Sequence, residues 1–176
     1  MGTLMLISLI VATVIPLLVL TGIYRLNLYA TSSFREVLLC FAWGLLAFGI
    51  AYGLNSVTVR LGALSYNEMR RFGAPVVEEM VKGLFLILLV RRPRFSYFVD
   101  GAIYGFAIGV GFAIVENYLY IFQFPDSAFS LALGRVLSTN LMHASASAIV
   151  GISTGLFRFQ QGLPARAGAA SPACRR

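Results

Sequence analysis

Glu78 and Glu79 stand side by side near the start of an apolar run from Pro75 to Val90. Glu116 lies late in the next apolar run, and the only histidine of the chain, His143, lies inside the run after that. An ionised carboxylate at membrane depth is expensive, so an acid inside such a run is a functional candidate by default. If the three runs converge, several carboxylates and an imidazole share one low-dielectric pocket. Three carboxylates there cannot easily all ionise, whereas Lys82 and a protonated His143 offset their repulsion. This is equipment for general acid–base catalysis. A carboxylate takes a proton from water, and a neighbouring histidine or carboxylic acid polarises a carbonyl or protonates a leaving amine.

Each group also has a structural role open to it. A glutamate near a helix N-terminus is favoured by the macrodipole, and Lys82 is i+4 from Glu78 and i+3 from Glu79. A salt-bridged helix start accounts for one of the two glutamates better than for both. Glu116 alone fits a group near a helix end, and His143 alone fits a hydrogen-bonded histidine of the bundle. Their joint placement favours a site.

The elements that must position these residues are membrane spans. Of 176 residues, 59% are hydrophobic and 12% charged, against about 25% charged in soluble domains. The apolar residues fall in blocks that approach or exceed the roughly 17–25 residues needed to cross a bilayer. The expected fold is all-α, a polytopic membrane helical bundle of about five transmembrane helices. The predicted spans are Leu4–Tyr24, Phe34–Asn55, Pro75–Val90, Tyr97–Phe122 and Ser130–Phe157. Ser33 with Glu36 offers a capping box for the second, and Pro75 suits the first position of the third. Residues 56–74 read as an interfacial amphipathic helix or a solvated loop. The first block is a retained helix, having no basic region before it and no cleavage pattern after it. Residues 1–159 form a single transmembrane domain with a catalytic core at about 75–157. Residues 160–176, rich in Ala, Gly, Pro and Arg, read as a disordered cytoplasmic tail.

The net charge of +7 does not point to nucleic acid, because the arginines cluster at block ends rather than along a stripe. Such clusters set topology and meet anionic headgroups of the lipid bilayer. Nine arginines (25, 35, 91, 92, 94, 158, 166, 175 and 176) fall on one side and four (60, 70, 71 and 135) on the other. The excess places the N-terminus outside and the C-terminus in the cytoplasm. Glu78 and Glu79 then lie roughly 5–6 Å from the outer end of their helix and Glu116 roughly 9 Å. His143 lies roughly 20 Å down, or roughly 12 Å if its span begins near Arg135. Cys40 and Cys174 form no disulfide or thiolate–metal pattern.

His143, Ser147, Gly151 and Gly155 recur every four residues and share a helix face, with Asn140 beside it. Gly101, Gly105 and Gly109 form a second four-residue stripe. Small residues at this spacing let helix backbones approach closely. H-E-x-x-H does not occur.

Three motifs in order, Glu78-Glu79-x-x-Lys82, Phe112-x-x-x-Glu116-Asn117 and His143-x-x-x-Ser147-x-x-x-Gly151, resemble those of the PrsW family of glutamic-type intramembrane proteases. These are distant relatives of the Abi/CPBP proteins and the type II CAAX prenyl endopeptidase. The resemblance covers roughly Pro75 to Gly155. It implies Glu78 as the acid that activates water, Glu79 as its partner, and Glu116 at the second-motif position, which is histidine in the CAAX branch. It implies His143 as the third-motif histidine, with Ser147 in the place of that branch's asparagine. Lys82, Phe112, Asn117 and Asn140 support them. The implied activity is endoproteolysis of a single-pass membrane protein or membrane-associated peptide near the outer leaflet of a bacterial or archaeal cell membrane, with no cofactor. Two other readings stay open. One is a metal-dependent protease with Glu78, Glu116 and His143 as ligands, although the set lacks a clustered second histidine. The other is a proton-relay, transport or adaptor protein, although no inverted repeat is evident.

Overall fold

The computed structural model describes residues 2–26, 32–91, 95 and 97–160, with side chains up to 158. Its elements are α1 (Gly2–Arg25), α2 (Phe34–Arg60), a single turn α3 (Tyr66–Glu68), a π-helical turn (Met69–Gly73), α4 (Ala74–Val90), α5 (Phe98–Gln123), a 3₁₀ turn (Pro125–Ser127), α6 (Ala128–Leu137) and α7 (Thr139–Gln160). Among the described residues there is no strand, and five long helices stand where five spans were predicted. Of these, α1, α2 and α5 are long and apolar enough to cross a membrane by length and composition. The chain is an integral membrane protein of the all-α class.

One helix sits at the centre. The apolar stretch of α5 is 78% buried inside the bundle, against 22% for α1 and 28% for α2, so α1 and α2 turn most of their surface outward. The most extensive helix pair is α5 with α7, followed by α5 with α2. Helix α4 fits between α2 and α7, and α1 leans on α5 and α6.

The two glycine stripes explain the α5–α7 pair, because they face each other. A Cβ on Gly105 would lie 2.1 Å from the Ser147 carbonyl oxygen, and one on Gly109 would lie 2.4 Å from that of His143. Gly101 and Gly151 are mutual neighbours in the same way. No larger residue fits at these positions without moving a backbone. The stripe on α7 therefore seats His143 and Ser147 directly against α5.

At the end away from Glu78, polar groups tie helix termini together. Arg158 is buried, and its Nη1 donates to the Val90 carbonyl and, at 3.0 Å, to that of Phe95. Asp100 accepts from the Ser32 hydroxyl at 2.8 Å and the Tyr97 amide at 2.9 Å.

The structure corrects four expectations. The second span continues to Arg60 and ends at Gly62, whose φ of 70° suits glycine at a helix terminus. Ser33 makes no side-chain cap, and Glu36 is buried rather than folded back over its helix start. A capping box forms instead at Ser65 and Glu68. Residues 56–74 are thus mostly helical, the end of α2 and the run-in to α4 joined by a short turn. Finally, the fifth span is broken at Ser138. Its backbone, at φ −109° and ψ −66°, departs from regular helix, while its amide and hydroxyl both donate to the Gly134 carbonyl, at 3.0 and 2.7 Å. His143 is then only four residues into α7, about 6 Å from its start. Arg92, Arg94 and the proposed tail beyond Gln160 lie outside the described residues.

Gly105→Ala is expected to lower stability by roughly 1–3 kcal/mol through overpacking. Gly53→Ala, with nothing within 4 Å of its Cβ, should be neutral or stabilising by up to about 1 kcal/mol. Thermal unfolding of both variants in detergent separates a packing glycine from an idle one. A second expectation concerns the exposed link. Hydrogen bonds from the Ser65 hydroxyl (2.6 Å) and amide (2.9 Å) hold the Glu68 carboxyl below its ordinary range. Because the folded value is depressed, this contribution is complete above the unfolded pKa and is lost as pH falls through the folded one. A ¹³C titration of Glu68 should move toward the ordinary carboxylate value in Ser65→Ala.

Candidate active site

Lys82 is fully buried on α4. Its Nζ donates to Glu79 Oε1 at 2.8 Å and to His143 Nδ1 at 2.8 Å, and it lies 3.9 Å from the centroid of the Phe112 ring. An ammonium has donors only, so Nδ1 must be the acceptor and the imidazole proton sits on Nε2. That proton is donated to Glu116 Oε2 at 2.9 Å. The Phe112 ring also packs on His143, with centroids 5.1 Å apart. One side chain from α4 thereby orients the histidine of α7 toward the glutamate of α5.

The network continues on both sides. The Ser147 hydroxyl donates to Glu79 Oε2 at 3.4 Å, so Ser147 stands beside Glu79, on α4. Beyond Glu116 comes Arg135 of α6, 15% exposed. Its Nη2 is 3.0 Å from Glu116 Oε2 but off the line of a hydrogen bond, so that contact is charge attraction. Its Nε donates to Asn117 Oδ1 at 2.8 Å, and its guanidinium stacks 3.9 Å over Tyr120. Asn117 Nδ2 in turn donates to Asn140 Oδ1 at 2.7 Å. All the named candidates except Glu78 are thus joined through one another's side chains.

Glu78 differs. Among the described residues it makes no hydrogen bond and no ion pair, yet it feels the charges of Lys82, Glu116, His143 and Glu79. It lines a cleft of about 520 Å³ together with Glu116. Phe48, Tyr52, Asn55, Met69 and Tyr120 form its walls, and the exposed Arg60 and Arg70 border it. His143 is not among the lining residues, so it supports Glu116 from behind. Three carboxylates meet two cations, and Glu79 and Glu116 hold those cations. The carboxyl group without a cation of its own among the described residues is that of Glu78.

Arg135 was counted in the sequence as a topology charge, and the structure places it inside the bundle. The signal was present: it is an ionisable residue within an apolar block, eight residues from His143.

The donor set was tested against a divalent metal. Both ring nitrogens of His143 and Oε2 of Glu116 are engaged by protein groups, and Lys82 and Arg135 would repel a dication. No three His, Cys, Asp or Glu side chains are grouped as ligands among the described residues. This arrangement does not fit a metal.

Replacing Lys82 with Met should destabilise the bundle by roughly 3 kcal/mol, because it leaves Glu79 without its buried counter-charge. The single histidine offers a direct readout. In ¹⁵N-histidine spectra of the tag-free chain, His143 should show the Nε2–H tautomer and lose that strong preference in Lys82→Met.

Residues 32–173 match the family described as PrsW family intramembrane metalloprotease. A curated relative, Protease PrsW of Clostridioides difficile (strain 630), is 32% identical over 89 residues, covering 49% of this chain and 37% of the relative. The chain therefore aligns with little more than a third of that relative's length. No solved structure matches. The family's description names a metal, which the donor geometry above does not accommodate. With the matched region reaching from just before α2 past the end of α7, the chain belongs to the PrsW family.

Proposed function

We infer that this chain is an intramembrane endopeptidase in which a glutamate activates the hydrolytic water. The observation that carries the reading is Glu78, an acid with no hydrogen-bond or ion-pair partner among the described residues, facing a cleft across which Glu116 is held by His143 and Arg135. A water in the cleft gives its proton to Glu78 as its oxygen bonds to the scissile carbonyl carbon, and the carbonyl electron pair moves onto oxygen. Glu116, held by His143 and Arg135 on the other side of the cleft, fixes the attacking water against Glu78. On collapse the C–N bond breaks and Glu78 returns its proton to the leaving amine. The products are a carboxyl end and an amine end, and the site regains its resting protons. General acid–base assistance of this kind contributes about 10²–10⁴-fold.

The substrate is a single-pass membrane protein or a membrane-associated peptide. An apolar groove of about 610 Å³ along α4, closed on one side by Val150 of α7 and reaching Glu79, supports lateral entry beside the site. The cleft lies toward the outer face. With Arg135 and Arg158 both withdrawn into the bundle, the arginine asymmetry becomes eight against three and supports an external N-terminus and a cytoplasmic C-terminus. Residues 1–159 act as one transmembrane domain in a prokaryotic cell membrane.

The test is cleavage by the purified chain in liposomes of a probe with a roughly 20-residue Leu/Ala helix and a fluorophore–quencher pair in its outer flank. Glu78→Gln should reduce turnover by about 10³-fold and His143→Ala by about 10²-fold, while chelators leave the wild-type rate unchanged. Full activity in Glu78→Gln would falsify the water-activating role, and loss of activity on chelation that returns with added metal would replace it with metal catalysis.

A further inference from the structure

We propose that Arg135 is a positioning residue for the reaction, fixing the Glu116 carboxylate so that it stays aligned with His143 at the cleft. The proposal rests on the endopeptidase reading for its kinetic consequences and on geometry for its basis. Glu116 needs more than one contact to be held. Its Oε2 meets His143 Nε2 at 2.9 Å and Arg135 Nη2 at 3.0 Å, so it is gripped from α7 and from α6 at once. The guanidinium is itself fixed in two further ways. Its Nε donates to Asn117, next to Glu116 on α5, and its face lies on Tyr120, one turn further along α5. Planar stacking and directional N–H donation are properties of arginine that lysine does not reproduce.

The two contacts come from two helices: α6 ends at Leu137, α7 restarts at Thr139, and Arg135 and His143 meet the same carboxylate oxygen from either side of that interruption. Helix α6 is braced by α1, where Ala12 packs with Ala128, Ala132 and Val136, and α1 is tied to α5 by the Thr13 and Tyr118 hydroxyls, 2.5 Å apart. Helix α1 lies outside the family match, which begins at residue 32. It thus holds the arm that delivers Arg135.

A carboxylate displaced by about 1 Å can cost about 10² in rate. Arg135→Gln should therefore lower kcat on the liposome probe by about 10²-fold with KM changed less than about threefold. Arg135→Lys, which keeps the charge but not the stack or the Nε–H donation, should recover about tenfold of that loss. In ¹⁵N-histidine spectra, Arg135→Gln should weaken the Nε2–H hydrogen bond of His143, seen as an upfield proton shift and faster exchange. A folded Arg135→Gln with near wild-type kcat overturns the proposal. So does an unchanged His143 signal in whichever variant folds, or an equal loss in kcat and thermal stability that Lys does not relieve. If the wild type fails to cleave the probe, the endopeptidase reading falls alone, and the His143 signal still decides the role of Arg135.

Discussion

The constraint on which the rest depends is one buried ammonium. Taking a lysine out of water costs several kcal/mol unless its donors are satisfied, and Lys82 has no access to solvent. It draws its partners from three helices: Glu79 on its own, His143 on α7 and the face of Phe112 on α5. A single cation therefore sets the register of α4 against its neighbours. The same contacts dictate which nitrogen of His143 carries the proton, so the packing requirement and the chemical requirement are met by the same atoms.

That arrangement needs helices close enough for short side chains to meet. The α5–α7 seam provides this by putting glycine against backbone at three successive turns. Close approach and buried charge are coupled here. Larger residues at Gly105 or Gly109 would separate α5 from α7 and stretch the His143–Glu116 contact. A weaker polar network would leave the ammonium unsatisfied. The opposite end of the bundle, where Arg158 and Asp100 bind helix termini, uses the same device.

Much of this was legible beforehand. Glu78, Glu79, Glu116 and His143 stand out because apolar runs rarely hold acids, and the glycine stripes announce close packing by their four-residue spacing. The break at Ser138 had only a faint signal: the polar triplet Ser138-Thr139-Asn140 falls where α6 gives way to α7, but a membrane helix can carry such a triplet without breaking. Arg135 reads as a topology charge near the start of one long span, although an ionisable residue inside an apolar block already marks it as a candidate. The capping box was assigned to Ser33 because local pattern ignores burial. Glu36 is drawn inward, and the motif is realised at Ser65, where both partners remain in water.

Composition and periodicity by themselves determined that the chain is a helical membrane protein, which residues are costly enough to need a purpose, and which faces of two helices must touch. These follow from transfer energies and helix geometry, which act residue by residue. The division of labour among the acids was decided only by tertiary structure. Glu79 is bound to Lys82, Glu116 is held between His143 and Arg135, and Glu78 is left facing the cleft. Sequence neighbours with the same side chain, Glu78 and Glu79, acquire different roles because adjacent helical positions point about 100° apart and meet different neighbours. That difference depends on what α5, α6 and α7 bring to each face.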